Sequence, residues 1–399
     1  MNVNSYKDLK LIKYSAVLSF FIFFNYVLWS INAPEIVRSI NFAIIILIFF
    51  NFFISTSYNE YWYVKITIFL LLLASLGAPT ITWDGRSIYL FAAKRLFFES
   101  NIYIFFDNYF PDGMNSFPKL PATLSASFAQ LLGTWNEIFP KTTNIVIILP
   151  PILFLLSFLK EKIFKIIAFS LLLFFSGKLW VNGLMDGIIA LYFVASAMAI
   201  YQITLIKNEN ENKIFYLMLF LFFSILSLCK NEGMVIVFVI IFSTTAINLF
   251  YEKKINYKLW LITLVSLIPI FFWKYLVIKN NIITEFVQYD PLDRVFHRVT
   301  NPNDIWNIIL YIVKNEKLII SLALFIFCSY KKININNRLI LFISLNFLLY
   351  FLILIGSFLL TPKDLLWQLS ASSTRIYISL ILLLSYFSIL LIQKKISDK

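Results

Sequence analysis

From Arg338 to Leu360 the chain reads RLILFISLNFLLYFLILIGSFLL, and after the opening arginine the stretch carries no charged residue. At about 1.5 Å per residue, a helix of this length crosses the roughly 30 Å hydrocarbon core of a bilayer. Runs of the same kind recur at about 14–30, 39–56, 63–79, 143–159, 163–180, 186–205, 213–229, 232–250, 258–278, 317–330 and 376–393. Together they predict an all-α, polytopic integral membrane protein with about twelve transmembrane helices. The 399 residues are 60% hydrophobic and only 14% charged, with a mean hydropathy of +0.82. A soluble domain carries about 25% charged residues, so a compact soluble fold is excluded, as is disorder, which needs low hydrophobicity. Uninterrupted apolar runs also exclude an outer-membrane barrel, whose strands alternate apolar with polar residues.

The formal charge of +13 would suggest nucleic acid in a soluble protein. Here the basic residues cluster between apolar runs, as expected where Lys and Arg hold cytoplasmic loops at the membrane surface, so no nucleic-acid partner is expected. With about twelve spans, Lys7, Lys10 and Lys13 fall inside, as do Lys160, Lys162, Lys207, Lys213, Lys253, Lys254 and Lys258. Lys331, Lys332, Arg338, Lys394, Lys395 and Lys399 join them, while Arg38, Lys178 and Lys230 are isolated exceptions. Leu120 to Phe139 is interrupted by Pro121, Gln130, Gly133 and Asn136, and letting it cross would put every later cluster outside. It is therefore read as a helix lying in or re-entering the outer interface. Met1 to Lys13 lacks a small-residue cleavage site after the first apolar stretch, so that stretch is expected to remain as a helix. The chain reads as one transmembrane domain, 1–399, with both termini cytoplasmic and outer loops at about 78–143, 279–317 and 361–375.

Chemistry is expected in those loops. Thr82-Trp83-Asp84-Gly85-Arg86-Ser87-Ile88-Tyr89, followed by Ala93-Lys94-Arg95, sets an acid at the head of an amphipathic helix lying on the membrane. Asp84 reads either as an N-cap or as a general base. Asp186 opens an apolar span, where an acid is costly unless it caps the helix or faces a cavity or partner. Lys230-Asn231-Glu232-Gly233 is a hairpin turn with a local ion pair, or part of a site. Arg375, at the end of Trp367-Gln368-Leu369-Ser370-Ala371-Ser372-Ser373-Thr374, would anchor at the interface or hold a lipid phosphate through its planar fork. His297 is the only histidine, so no His-based metal site is expected; Asp290 and Asp293 leave a carboxylate site open, and no metal or cofactor is assigned. The chain contains neither GxGxxG nor GxxxxGK[ST], which argues against a cytoplasmic nucleotide substrate, and it contains no GxSxG elbow. Cys229 and Cys328 fall near opposite ends of their helices and are not expected to pair.

The short motifs resemble those of the GT-C class of membrane glycosyltransferases, which use polyprenyl-phosphate sugars and are related to the protein mannosyltransferases and the lipid A aminoarabinose transferases. Trp83-Asp84-Gly85 with Tyr89 and Ala93 is similar to that class's first-outer-loop acid motif. Phe117-Pro118-Lys119-Leu120-Pro121 resembles its Tyr-Pro-Pro-Leu segment, and Asn182 to Ala190 its Asp-Pro helix entrance, with Gly187 in place of Pro. Lys230 to Gly233 and Trp367 to Arg375 resemble bacterial Lys-Asn-Glu-Gly and Trp-His-Leu-x-x-Ser-x-x-Arg stretches, with Gln368 in place of His. The resemblance implies a hexosyl- or pentosyltransferase in the cytoplasmic (inner) membrane, its site facing the periplasm or exterior. It would move a sugar from a lipid-linked donor to a glycan, lipid or protein acceptor. It implies Asp84 as general base and a role for Asp186 in orienting a base or binding sugar. Arg375 and Lys230, with Lys94 or Arg95, would stabilise the departing phosphate, and Glu232 belongs to the same substrate-binding set. An O-antigen-type polymerase or ligase, which would rely on basic residues, and a lipid-glycan transporter are the alternatives.

Overall fold

The computed structural model describes residues 8–80, 82–107, 109, 114–206, 209–282, 291–330 and 337–397. Lys7, Lys207, Lys331, Lys332 and Lys399 of the basic clusters, and Asp290, lie outside the described residues. Among the described residues every regular element is helical. The first hairpin is α1 (Leu9–Ser30) and α2 (Glu35–Ile54), followed by α3 (Trp62–Gly77). Between α3 and the next long helix lie α4 (Phe91–Glu99), α5 (Leu120–Leu132) and α6 (Thr143–Leu156). The central helices are α7 (Lys162–Val181), α8 (Asp186–Leu205), α9 (Glu209–Cys229), α10 (Asn231–Glu252) and α11 (Tyr257–Lys279). Two short helices, α12 (Pro291–Thr300) and α13 (Pro302–Val313), lead to α14 (Glu316–Tyr330) and α15 (Asn337–Leu360). The described chain closes with α16 (Leu365–Ile376) and α17 (Ile378–Ser397).

Ten helices among the described residues are long and apolar enough to cross a membrane, which makes the protein membrane-embedded. They include α1, α2, α7, α8, α10 and α11 whole and Arg338–Leu360 of α15, and the tenth, Leu365–Ile396, runs continuously through α16 into α17. The remaining two expected spans coincide with shorter helices, α6 with 14 residues and α14 with 15. At about 1.5 Å per residue these rise little more than 20 Å. All of α6 is buried, with Pro150 and Pro151 inside it.

Helix α8 is the axis of the bundle, buried from Asp186 to Ile203 and packed by α6, α9, α10 and α17. By contrast α2, α3, α11 and α15 leave most of their apolar surface uncovered, the arrangement expected where lipid is the solvent. The segment read as lying in or re-entering the outer interface forms α5, which is covered by protein: it packs against α1, α2, α4 and α6 and buries Leu120 to Ser127, ending at Gly133 in the left-handed conformation. Its polar residues are used internally: Ser127 accepts a hydrogen bond from Trp29 Nε1 at 2.9 Å, and Ser125 bonds the Pro140 carbonyl at 2.9 Å. Arg38, exceptional in the charge pattern, is buried with its guanidinium carbon 3.6 Å from the Trp29 ring centroid. It donates to the Ser100 carbonyl at 3.2 Å, which ties the end of α4 to the first hairpin.

Candidate functional site

Four segments far apart in sequence meet at one end of the bundle. Asp84 begins a π-helical turn, Asp84–Leu90, that runs directly into α4. Such turns recur at functional sites because they displace one residue from the regular helical register. The loop before it presses on the α7–α8 connection, where Thr82 Oγ1 donates to the Asn182 carbonyl at 3.0 Å. A side chain on Gly85 would come within 2.6 Å of Thr82 Oγ1 and 2.8 Å of that carbonyl. Opposite it Gly183 adopts φ +77°, a conformation L-residues rarely take. Two bare backbones therefore bring the loop of Asp84 against the entrance of α8, where Asp186 stands.

A third glycine shapes the next element. Lys230 is a single extended residue between α9 and α10, and a β-carbon on Gly233 would lie 1.9 Å from the Leu226 carbonyl oxygen. Only glycine lets α10 begin so close to the last turn of α9. Gly187 makes room in the same way for the Trp180 indole, 2.9 Å from where its β-carbon would be.

The resulting charges form one connected chain. Arg375 Nη1, near the end of α16, donates to Asp84 Oδ2 at 2.5 Å and lies 3.9 Å from Asp186 Oδ2. Lys230 Nζ donates to Asp186 Oδ1 at 3.0 Å and lies 2.8 Å from Glu232 Oε1. Asp186 and Lys230 are buried, while Asp84, Arg375 and Glu232 retain partial access to solvent. Neither acid caps a helix: the cap positions are Trp83 and Met185, and both carboxylates are turned to the cations. Burial opposes the charged form of Lys230, but Asp186 and Glu232 outweigh it and raise the ammonium pKa above the ordinary lysine range. Three carboxylates face two cations, so the chain keeps an acid in excess and holds Lys230 charged.

Tyr89, one turn beyond Asp84, is buried beside all of these groups. Burial above all, and then the nearby acids, holds its phenol well above its usual pKa, with Lys230 pulling the other way. It is a neutral hydroxyl among charges. Its position in the Trp83-Asp84-Gly85 motif was visible in the sequence, but nothing there revealed its surroundings.

Lys94 and Arg95 do not join this network. Lys94 pairs with Glu137 at 3.0 Å at the surface, and Arg95 pairs with Asp107 at 2.6 Å while lying over the Tyr109 and Phe105 rings. Two other lysines come nearer. Lys274 of α11 donates to Asn231 Oδ1 at 2.7 Å and to the Ser116 carbonyl at 3.2 Å. Lys119 is buried, with its Nζ bonded to the Met114 carbonyl at 3.2 Å and 4.3 Å from the Phe105 ring centroid. Burial, reinforced by Arg95 and Lys274, pushes its ammonium pKa down to about 7. Among the described residues neither lysine has a carboxylate partner. The signal for Lys274 was a charged residue inside an otherwise apolar span. Lys119 stood within a quoted motif without an assigned role.

Among the described residues no group of three or more His, Cys, Asp or Glu gathers in a way that would hold a metal ion. Cys229 and Cys328 are buried free thiols. Chemically the arrangement offers a partly exposed carboxylate held by an arginine, an Asp–Lys–Glu relay with Asp186 and Lys230 buried, and the half-buried ammonium of Lys274 beside it. No family model, curated protein or solved structure matches the chain.

Proposed function

We propose that the protein is a membrane glycosyltransferase of the GT-C kind. It would transfer a sugar from a polyprenyl-phosphate carrier to an acceptor hydroxyl at the outer face of the cytoplasmic membrane. The observation that carries this reading is the meeting of Asp84, Asp186, Lys230, Glu232 and Arg375 in one chain of contacts. Buried charges are costly, and five of them assembled from separate segments at a helix-bundle end argue for a site.

In this mechanism the acceptor oxygen attacks the anomeric carbon while the bond from that carbon to the carrier phosphate breaks. Asp84 takes the acceptor's proton and the phosphate leaves with the bonding electrons. Arg375 joins both events, since a phosphate that draws its planar fork away from Asp84 frees that carboxylate to act as base. Lys119 and Lys274, rather than Lys94 and Arg95, supply the further positive charge for the departing phosphate. Asp186 and Glu232 fix Lys230, and Asp186 also lies within reach of Arg375. The same reading takes α6 and α14 as short spans, giving twelve crossings, with both termini cytoplasmic by the distribution of Lys and Arg.

The test is Asp84→Asn in the full chain reconstituted with a lipid-linked sugar donor. Transfer should fall by about a hundredfold or more, the range for loss of a general base, with insertion and unfolding temperature little changed. Retained transfer excludes Asp84 as base. Lys119 and Lys274, which make no salt bridge among the described residues, favour a second reading, an O-antigen-type polymerase or ligase working through basic residues. Activity that survives Asp84→Asn but is lost in Arg375→Ala would select it.

A further inference from the structure

Helices α12 and α13 stand almost wholly on the surface: no residue of α12 is buried, and in α13 only Ile308 is. Each is two-faced. In α12, Leu292, Phe296 and Val299 recur at helical spacing on one side, with Leu292 78% and Phe296 70% exposed. Asp293, Arg294, His297 and Arg298 occupy the other side by the same periodicity. In α13, Trp306, Ile309 and Val313 form a second exposed stripe, separate from the side on which Ile308 is buried.

The depth of this pair is fixed at both ends. Arg298 donates to the Phe358 carbonyl at 2.6 Å, to Leu359 at 3.2 Å and to Lys363 at 2.9 Å, which are the last carbonyls of α15 and the turn beyond it. Because α15 is long and apolar enough to cross the membrane, α12 sits where a span meets the headgroups. At the other end α13 runs within three residues into α14, whose Ile319, Ile320, Ile326 and Phe327 are themselves uncovered. Water at these stripes would leave six large apolar side chains solvated together, an arrangement soluble surfaces avoid.

We propose that α12 and α13 form an interfacial element whose two apolar stripes are immersed in the bilayer, at the end of the bundle that carries Asp84, with the partner a lipid surface. Its charged face stays in the headgroup layer, and Trp306 sits at the depth where indole rings collect. The element also braces the site. Arg298 holds the turn from α15 to α16, and α13 packs on α16, the helix that presents Arg375.

Spin labels on the full chain in phosphatidylethanolamine/phosphatidylglycerol vesicles test this, using a background in which Cys229 and Cys328 are replaced by serine. Single cysteines go at Phe296 and Ile309 on the stripes and at His297 and Asn303 off them, with Val299 and Val313 in reserve if a stripe variant fails to insert. Collisions with lipid-soluble oxygen should exceed those with a water-soluble nickel chelate several-fold at Phe296 and Ile309, and the order should reverse at His297 and Asn303. Nickel collisions dominating at all four positions would overturn the proposal, because the stripes would then face water. Exclusion of both reagents from Phe296 and Ile309 would overturn it too, because a protein surface, such as a second copy of the chain, would then cover them. Neither result depends on transferase activity.

Discussion

Arg375 Nη1 donates to Asp84 Oδ2 at 2.5 Å across 291 positions of sequence. The pair joins the π-helical turn ahead of α4 to α16, and it places a cation between two acids, since Asp186 lies on the same guanidinium nitrogen at 3.9 Å. If the arginine exchanges Asp84 for a carrier phosphate, its removal should damage donor use more than folding. Arg375→Ala is expected to raise the KM for a lipid-phosphate donor about 10- to 100-fold, the scale of one hydrogen bond to a charged group. Arg375→Lys, which keeps charge without the planar fork, should recover only part of that loss. Steady-state kinetics at varied donor concentration would measure both.

The buried pair predicts an asymmetric stability effect. Lys230→Met leaves Asp186 and Glu232 without their cation and is expected to cost about 3–5 kcal/mol, as for other broken buried pairs. Adding Asp186→Asn should return much of that stability, because the uncompensated charge is then gone. Thermal unfolding of the purified single and double variants, followed by intrinsic fluorescence, gives the comparison.

Backbone proximity makes a separate forecast. Gly183→Ala forces an L-residue into φ +77° and should cost about 1 kcal/mol. Gly85→Ala must also push the Asp84 loop off the Asn182 carbonyl, so its transfer activity should fall by more than its stability does. The ratio of the two losses, measured on the same preparations, separates displacement of Asp84 from general unfolding.

Lys119 makes stability depend on pH. Its folded pKa of about 7 lies below the ordinary lysine value of 10.5, so between these values the unfolded chain holds the extra proton and stability rises with pH. The contribution is complete above the unfolded value and absent below about 7. Lys119→Met removes it: the variant should unfold at a higher temperature than the parent at pH 6, and the gap should narrow as pH is raised to 9. A gap that stays constant with pH would show that Lys119 titrates normally.

Much of the site could be read from sequence because charge is rare in this chain. With only 14% charged residues, Asp84, Asp186, Lys230, Glu232 and Arg375 stand out against apolar runs, and the distribution of lysines put them on a common side without reference to their chemistry. What periodicity does not encode is which partner each charge finds. Lys94 and Arg95 share a helix start with Asp84 yet turn to Glu137 and Asp107, a choice made by the loops around them. The polar residues of α5 marked it off from the crossing runs, but did not show which partners its hydroxyls find inside the bundle. The shortness of α6 and α14 was equally hidden, because hydropathy marks where a run is apolar and not where the helix within it begins or ends.

The span of sequence between Asp84 and Arg375 also has a consequence for biogenesis. A chain emerging from the ribosome delivers Asp84, Asp186, Lys230 and Glu232 long before Arg375, so until Arg375 emerges Lys230 is the one basic member of the network that can be present. Asp84 gains its partner only once α16 has been made, so the network closes after all its other members are in place. A nascent protein stalled or truncated ahead of α16 would display an unneutralised acid at the membrane boundary, a chemical mark by which quality control could tell an unfinished bundle from a complete one.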